Sequence, residues 1–189
     1  MTPARIPSDK PNQDQIRNAV GKSVPDIIDY GLRVLFCGIN PGLYSGAVGH
    51  HFARPGNRFW PVLHSAGFTP RRLMPAEERE LLDLGYGITN IVNQATASAG
   101  ELTKDELIRG AHRLEEKVHL FRPVCLAILG IGAYRMAFQR PKARLGSQPG
   151  KINHTILWVL PNPSGLNAHY QLQDLVDLFG ELNRAITID

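Results

Sequence analysis

Two asparagines, each followed by proline in a glycine-bearing stretch, point most directly to chemistry. They are Asn40 in Gly38-Ile39-Asn40-Pro41-Gly42 and Asn162 in Asn162-Pro163-Ser164-Gly165-Leu166. The following proline pushes each asparagine out of the helical region, so its amide is held on an extended, stiffened backbone. An amide cannot take a proton, but its oxygen can orient a water, and its donor and acceptor together match a planar heterocycle. Beside these motifs the sequence offers no Ser-His pair, cysteine nucleophile, carboxylate pair or phosphate-cradling loop. Chemistry that proceeds with so little help has a leaving group that departs largely unaided, with water trapping an oxocarbenium-like centre.

The elements that must position these residues can be read from apolar runs. Arg33 to Cys37 ends in four apolar residues without alternation, which predicts a buried parallel strand, and Gly38 permits the turn into the Asn40 loop. Val124 to Leu129 and Thr155 to Leu160 are similar runs, and Gly87 to Val92 is a candidate short strand. Helices are expected at Asp14 to Val20, from a cap at Asn57 through Leu63, and at Pro75 to Leu84. Further ones run from the capping box Thr103-Lys104-Asp105-Glu106 to Pro123, through Tyr134 to Phe138, and in a closing segment with Leu172, Leu175, Val176, Phe179, Leu182 and Ile186. Alternating strands and helices predict an α/β fold, a single domain with a short parallel β-sheet flanked by helices. Ligands in such sheets sit beyond the carboxyl ends of the strands, so both Asn-Pro loops would share one edge.

Between these elements, Leu43 to Asn57 reads as a long glycine-rich functional loop, in which His50 and His51 are ordinary loop residues. Lys142 to Asn153 reads as an exposed basic loop. Gly130-Ile131-Gly132 lacks the third glycine and the later acidic residue of a dinucleotide loop, and is a packing turn. Residues 1–25 are expected to form a mobile or weakly structured extension, and residues 26–189 the catalytic domain.

The 189 residues, 43% hydrophobic and 20% charged, suit one globular domain. No apolar run approaches the roughly 20 residues of a membrane span, and the polar start lacks the apolar core of a signal peptide. A soluble, cytoplasmic protein is expected. The two cysteines, Cys37 and Cys125, fall in apolar runs and read as buried reduced thiols. They are too few for a four-thiolate cluster, and the histidines lack zinc spacing, so no metal is expected. A formal net charge of +4 fits a polyanionic partner but adds little by itself.

The paired motifs resemble those of the mismatch-specific uracil-DNA glycosylases, the Mug and thymine-DNA glycosylase branch of the uracil-DNA glycosylase superfamily. The resemblance runs from about Gly31 to Arg184 and includes Phe52-Ala53-Arg54-Pro55-Gly56-Asn57-Arg58-Phe59-Trp60 and the strand end Ala127-Ile128-Leu129-Gly130. It implies a monofunctional, monomeric DNA N-glycosylase without metal or cofactor, acting on double-stranded DNA with G:U or G:T mispairs. By the resemblance Asn40 positions the water that attacks the sugar C1′, Phe52 stacks on the extruded base, and the backbone near Ile39 binds the polar edge of that base. Asn162 contacts the target nucleotide at its phosphate or base, and Ser45 bonds either the base or its own loop. Ser164, Gly165 and Leu166 form the DNA wedge, Leu166 filling the gap in the helix and Gly165 permitting close approach to bases. Gly42 stands where faster members carry a tyrosine that excludes the thymine methyl, which implies a roomier pocket for 5-substituted pyrimidines.

On residues alone, Phe52 could equally be core. Two positions depart from the family pattern: Ala168 replaces an arginine that contacts the complementary strand, and Asn93 replaces an acidic residue. Asn93, placed after the expected end of a strand, is the second catalytic candidate. The rival readings are a non-catalytic mismatch or lesion binder on the same fold and a nucleoside hydrolase.

Overall fold

Burial on both faces defines the centre of the sheet. The strands β1 (Val34–Gly38), β2 (Tyr86–Asn90) and β3 (Cys125–Leu129) are buried at every residue. This is the pattern of strands covered by helices on both sides. With β5 (Thr155–Leu160) they pair in parallel, and β4 (Gly146–Ile152) adds antiparallel to β5, giving the order β2-β1-β3-β5-β4. The structure is a computed structural model and describes residues 10–187.

Two apolar layers flank the sheet. On one face Phe36 packs with Phe59 and Leu63 of α3 (Phe59–Ser65) and with Phe179 and Leu182 of α7 (Leu172–Thr187). On the other, Leu35 and Leu126 pack with Leu107 and Leu114 of α5 (Lys104–Phe121) and with Tyr134 of α6 (Ile131–Ala137). The predicted capping box opens α5: Thr103 Oγ1 accepts from Glu106 N (3.2 Å), and the Glu106 carboxylate accepts from Thr103 N (2.8 Å). The helix stops at Arg122, left-handed at φ 51°, immediately before Pro123.

Several expectations are corrected. Composition suggests a weakly structured segment through residue 25, but α1 (Gln13–Arg17) is capped by Asn12 and packs on α2 (Leu43–Val48), with Ala19 and Val24 buried behind it. Gly21 N donates to the Ala95 carbonyl at 2.9 Å, stitching this segment to the loop after β2. Residues 1–9 of the expected extension lie outside the described residues. The glycine-rich stretch after Asn40 begins with α2, whose ends are Gly42 and a left-handed Gly49 (φ 75°), so two of its glycines mark helix ends.

Lys142 to Asn153 is not a free loop, because most of it is β4. That strand has no apolar alternation and owes its conformation to pairing with β5, its register broken between Ser147 and Lys151 around Pro149. A proline is tolerated at such an edge-strand irregularity. Pro75 to Leu84 is a 3-10 turn (Pro75–Glu77) followed by α4 (Glu80–Asp83) rather than one helix. Finally, β2 ends at Asn90, two residues before the apolar run does. Among the described residues no helix is long and apolar enough to cross a membrane.

Gly110 sits mid-way along α5, where alanine would ordinarily stabilise a helix by about 1 kcal/mol. A Cβ there would stand 2.8 Å from Ile91 Cγ2 and nearer still to the Ile91 carbonyl oxygen. Overpacking against such a neighbour costs about 1 to 3 kcal/mol, so the clash outweighs the propensity gain. Gly110→Ala is expected to lower stability by about 1 kcal/mol, measured by chemical denaturation. A midpoint at or above that of the parent would show that α5 backs away from Ile91 at no cost.

Candidate active site

The parallel strands end on one cavity of about 290 Å³. Its wall is formed by the last residues of three strands, Gly38 of β1, Asn90 of β2 and Leu129 of β3, and by Asn162, two residues beyond β5. Both Asn-Pro loops therefore meet, as the parallel topology requires.

Asn40 is fixed by its nitrogen. Its Nδ2 donates to Thr96 Oγ1 (2.8 Å) and to the carbonyls of Gln94 and Pro41 (3.1 Å each). Carbonyls only accept, and Thr96 Oγ1 gives its own hydrogen to the Ser98 carbonyl (2.8 Å), so the amide orientation follows from its partners. Oδ1 is left as the acceptor that Asn40 offers on the cavity wall. Backbone pairing continues beyond β1 and β2, with Val92 N on Ile39 O (2.9 Å) and Thr96 N on Pro41 O (3.2 Å), which draws Gln94 and Thr96 alongside Asn40. The Ile39 carbonyl is thus engaged within the protein, although Ile39 lines the cavity.

Phe52 lines the cavity from a left-handed backbone at φ 52°, a conformation that costs an aromatic residue of order 1 kcal/mol or more. Its ring stacks on Phe59, centroids 4.0 Å apart at 26°, so this side chain packs on the core while it also lines the cavity. The strained turn is held on three sides. His51 N donates to Glu78 Oε2 (2.8 Å), Trp60 Nε1 to His51 O (3.3 Å), and Ala53 N to Ser45 Oγ (3.1 Å). Ser45, buried on the cavity wall, therefore supports its own loop.

His51 and Asn90 were not legible as site residues from sequence. His51 is 2% exposed, and its Nε2 lies 2.9 Å from the Pro25 carbonyl, which can only accept. The proton is therefore on Nε2, leaving Nδ1 to accept from Asn90 Nδ2 at 3.3 Å. Asn90 Oδ1 then points toward Gly38, where a Cβ would stand 2.5 Å from it, so β1 must end in glycine. Gly42 is the opposite case: a Cβ there would meet nothing within 4 Å.

The Asn162 loop is folded on itself and clamped by Arg58. Asn162 Oδ1 accepts from Ser164 N (3.0 Å), and its carbonyl accepts from Asn167 Nδ2 (3.0 Å). Ser164 Oγ accepts from Leu166 N (3.3 Å). Arg58 donates through one guanidinium nitrogen to the carbonyls of Ser164 (2.6 Å) and Asn167 (2.9 Å) and through the other to that of Tyr170, while its backbone N–H holds Pro163 O (2.9 Å). Leu166 is 74% exposed at the cavity rim. Gly165 has a different cause from the one expected: a Cβ there would collide with the Gly56 carbonyl oxygen, so close approach within the protein already requires glycine. Asn93 is exposed and does not line the cavity, and Asn90 holds the strand-end place expected for it.

A model of the Uracil DNA glycosylase superfamily matches residues 25–186 of the chain. The chain belongs to this superfamily. A solution NMR structure from Methanosarcina acetivorans, provisionally described as a uracil DNA glycosylase, superposes with a TM-score of 0.57 over 87% of this chain and 99% of that one. At 18% identity the likeness is one of fold.

Ionisable side chains are scarce on this glycosylase-family cavity: His51 and Arg54 are the two among its described lining residues. Among the described residues no three His, Cys, Asp or Glu side chains gather in a way that could hold a metal ion. Both thiols are buried and pushed up, Cys125 to about 12, far from nucleophilic thiolate character.

Burial also lowers the His51 pKa from 6.5, against the opposing pull of Glu78, and keeps the ring neutral. The unfolded chain gains this proton near 6.5 while the folded chain resists it, so His51 stability is intact above that pH and lost as pH falls below it. The slope is at most about 1.4 kcal/mol per pH unit. His51→Gln removes the titration, so the melting-temperature gap between parent and variant is expected to narrow from pH 7 towards pH 5. A gap that stays constant would remove His51 from the acid response.

Proposed function

We propose that the protein is a monofunctional DNA glycosylase that flips uracil out of G:U mispairs in duplex DNA and hydrolyses its N-glycosidic bond. The observation that carries this reading is Asn40, whose amide nitrogen is tied to three acceptors and whose oxygen remains open on a cavity that ends four strands. Water held on that oxygen adds to C1′ as the bond to the base N1 breaks. The base leaves with the bonding electron pair, and the water proton passes to solvent. His51, neutral and with Nδ1 already accepting from Asn90, takes no proton in this scheme. The leaving group must therefore depart largely by itself, and a mispaired base, the cheapest to flip, is the natural substrate.

Phe52 supplies the stacking face and Asn90 an amide edge for the base. Asn162, with Oδ1 engaged by Ser164, offers its NH2 group to the flipped nucleotide. The open space beside Gly42 supports acceptance of pyrimidines substituted at carbon 5, including thymine in G:T mispairs. Leu166 enters the stack from which the base has left, and the Arg58 clamp keeps its loop from yielding. Asn93, exposed and off the cavity, takes no part.

Asn40→Ala is expected to lower single-turnover release of uracil from a G:U duplex by at least about 100-fold while leaving duplex affinity within a few-fold, because phosphates dominate binding. Release at the parental rate would exclude Asn40 from the reaction. Retardation of the duplex by the parent without base release would instead favour a non-catalytic binder, and release from free nucleosides alone a nucleoside hydrolase.

Leu166→Ala truncates a side chain that touches solvent, so the fold should tolerate it. Excision from duplex is expected to fall by roughly tenfold or more, on the scale of the few kcal/mol that unstacking costs, with excision from single-stranded uracil DNA little changed. Equal losses on the two substrates would count against a wedge.

A further inference from the structure

The acidic residues of this chain are unevenly distributed. Between Glu116 and Asp174 there is no Asp or Glu, while the same 57 residues carry seven Lys or Arg. The remainder, with 14 Lys or Arg against 17 Asp or Glu, is net negative. In the fold, this acid-free stretch builds β3, α6, β4, β5 and the Asn162 loop, so one half of the sheet carries the positive charge.

Within that half, Arg140, Lys142 and Arg144 are concentrated in the turn that leads from α6 into β4, and all three are exposed. The turn is built rather than loose. Arg135 donates to the Ala143 carbonyl through Nε (3.0 Å) and a terminal nitrogen (2.7 Å), Ala143 N donates to Arg140 O (3.0 Å), and Gln148 Nε2 holds the carbonyls of Arg144 and Gly146. Beneath it lies a concavity of about 510 Å³ lined by Tyr134 and by all three cationic residues. No described carboxylate lies within ion-pair distance of them, whereas Lys117 of the same stretch is engaged by Asp26.

The register fixes where this turn lies. Gly146 pairs with Val159, one residue before the end of β5, so the chain enters β4 at the sheet edge that bears the cavity. β4 is three strands from β1, roughly 14 Å at the usual spacing, or about four base pairs of duplex axis. We infer that the Arg140-Lys142-Arg144 turn is a second contact surface for duplex DNA, gripping backbone phosphates several base pairs from the flipped nucleotide. The inference rests on the DNA-directed reading of the cavity, yet concerns a surface that takes no part in the chemistry. Its contacts carry no sequence information and serve to hold the duplex in register over the cavity.

The test measures affinity of the full chain for a uracil-free duplex as a function of salt. In the Arg140→Gln, Lys142→Gln, Arg144→Gln variant the slope of log K against log salt should shrink by about 2 to 3, since each phosphate contact contributes about 0.9. Affinity near 0.1 M salt should fall by more than about tenfold. Single-turnover excision at saturating G:U duplex should stay at the parental rate. An equal charge change at Arg17, Arg72 and Arg109, outside the acid-free stretch, should leave the slope nearly intact. Should the triple variant misfold, Lys142→Glu alone, at an exposed position, should still weaken binding more than Arg72→Glu. A slope unchanged in the triple variant, or equally reduced in the control, would overturn the inference. Failure of the cavity reading is separate: a parent that releases no uracil but shows the slope difference loses the excision reading and keeps the surface.

Discussion

The guanidinium of Arg58 holds together the two halves of the site. It anchors the Ser164, Asn167 and Tyr170 carbonyls, contacts more than a hundred residues away in the chain, while its neighbours fix the other wall. Gly56 abuts Gly165, Asn57 Oδ1 caps the start of α3 at Phe59 N (2.9 Å), Phe59 carries Phe52, and Trp60 holds the His51 carbonyl. Five consecutive residues thus set the separation between the Phe52 ring, the strand-end amides and the Leu166 loop. The arrangement has a cost: Arg58 Nε is buried without a partner, a defect worth about 1 to 3 kcal/mol. Three charge-assisted bonds from the same group, at roughly 1.5 to 3 kcal/mol each, offset it.

The parts of this architecture governed by nearest neighbours were legible in the sequence. Unalternated apolar runs marked β1, β3 and β5, the Thr103 capping box marked the start of α5, and the parallel topology then brought Asn40 and Asn162 to one edge. What depended on a pairing partner rather than on a segment's own pattern was not legible. β4 is a strand because β5 is beside it, and nothing in Gly146–Ile152 alone demands that. Within residues 1–25 only a short helix at Asp14 to Val20 was expected, whereas Gly21 N and the Lys22 carbonyl are also paired with Ala95 in the loop after β2. The Leu43 to Asn57 stretch looked like loop because it is rich in glycine, yet Gly46 lies inside α2 and Gly49 ends it.

Asn90 and Asn93 lie on either side of the end of β2. The apolar run Ile91-Val92 extended the expected strand beyond β2; those two residues pack under α5 while their N–H groups still donate to the Gly38 and Ile39 carbonyls (2.9 Å each). Asn93, named from the family resemblance, is exposed beyond that run, while Asn90 at the end of β2 lines the cavity. His51 was missed for a different reason. A histidine in a glycine-rich stretch carries no sign of burial, and only the Pro25 carbonyl, brought in by the ordered N-terminal segment, gives its Nε2 hydrogen a partner.

The site that results relies on fixed positions rather than on titrating groups. An amide at Asn40 can orient water but cannot accept its proton, and the one cavity histidine is held neutral with both nitrogens engaged. Catalysis of this kind depends on groups that need no rearrangement as charge develops, so small displacements are expensive. That explains why so much of the surrounding structure is devoted to immobility. The Asn40 nitrogen has three acceptors, the strained Phe52 turn has three restraints, and Asn90 Oδ1 fills the space that a Cβ at Gly38 would take. The open side of Gly42 is the exception: a Cβ there would meet nothing within 4 Å, so this one stretch of the cavity wall has room to spare beside groups that are otherwise fixed.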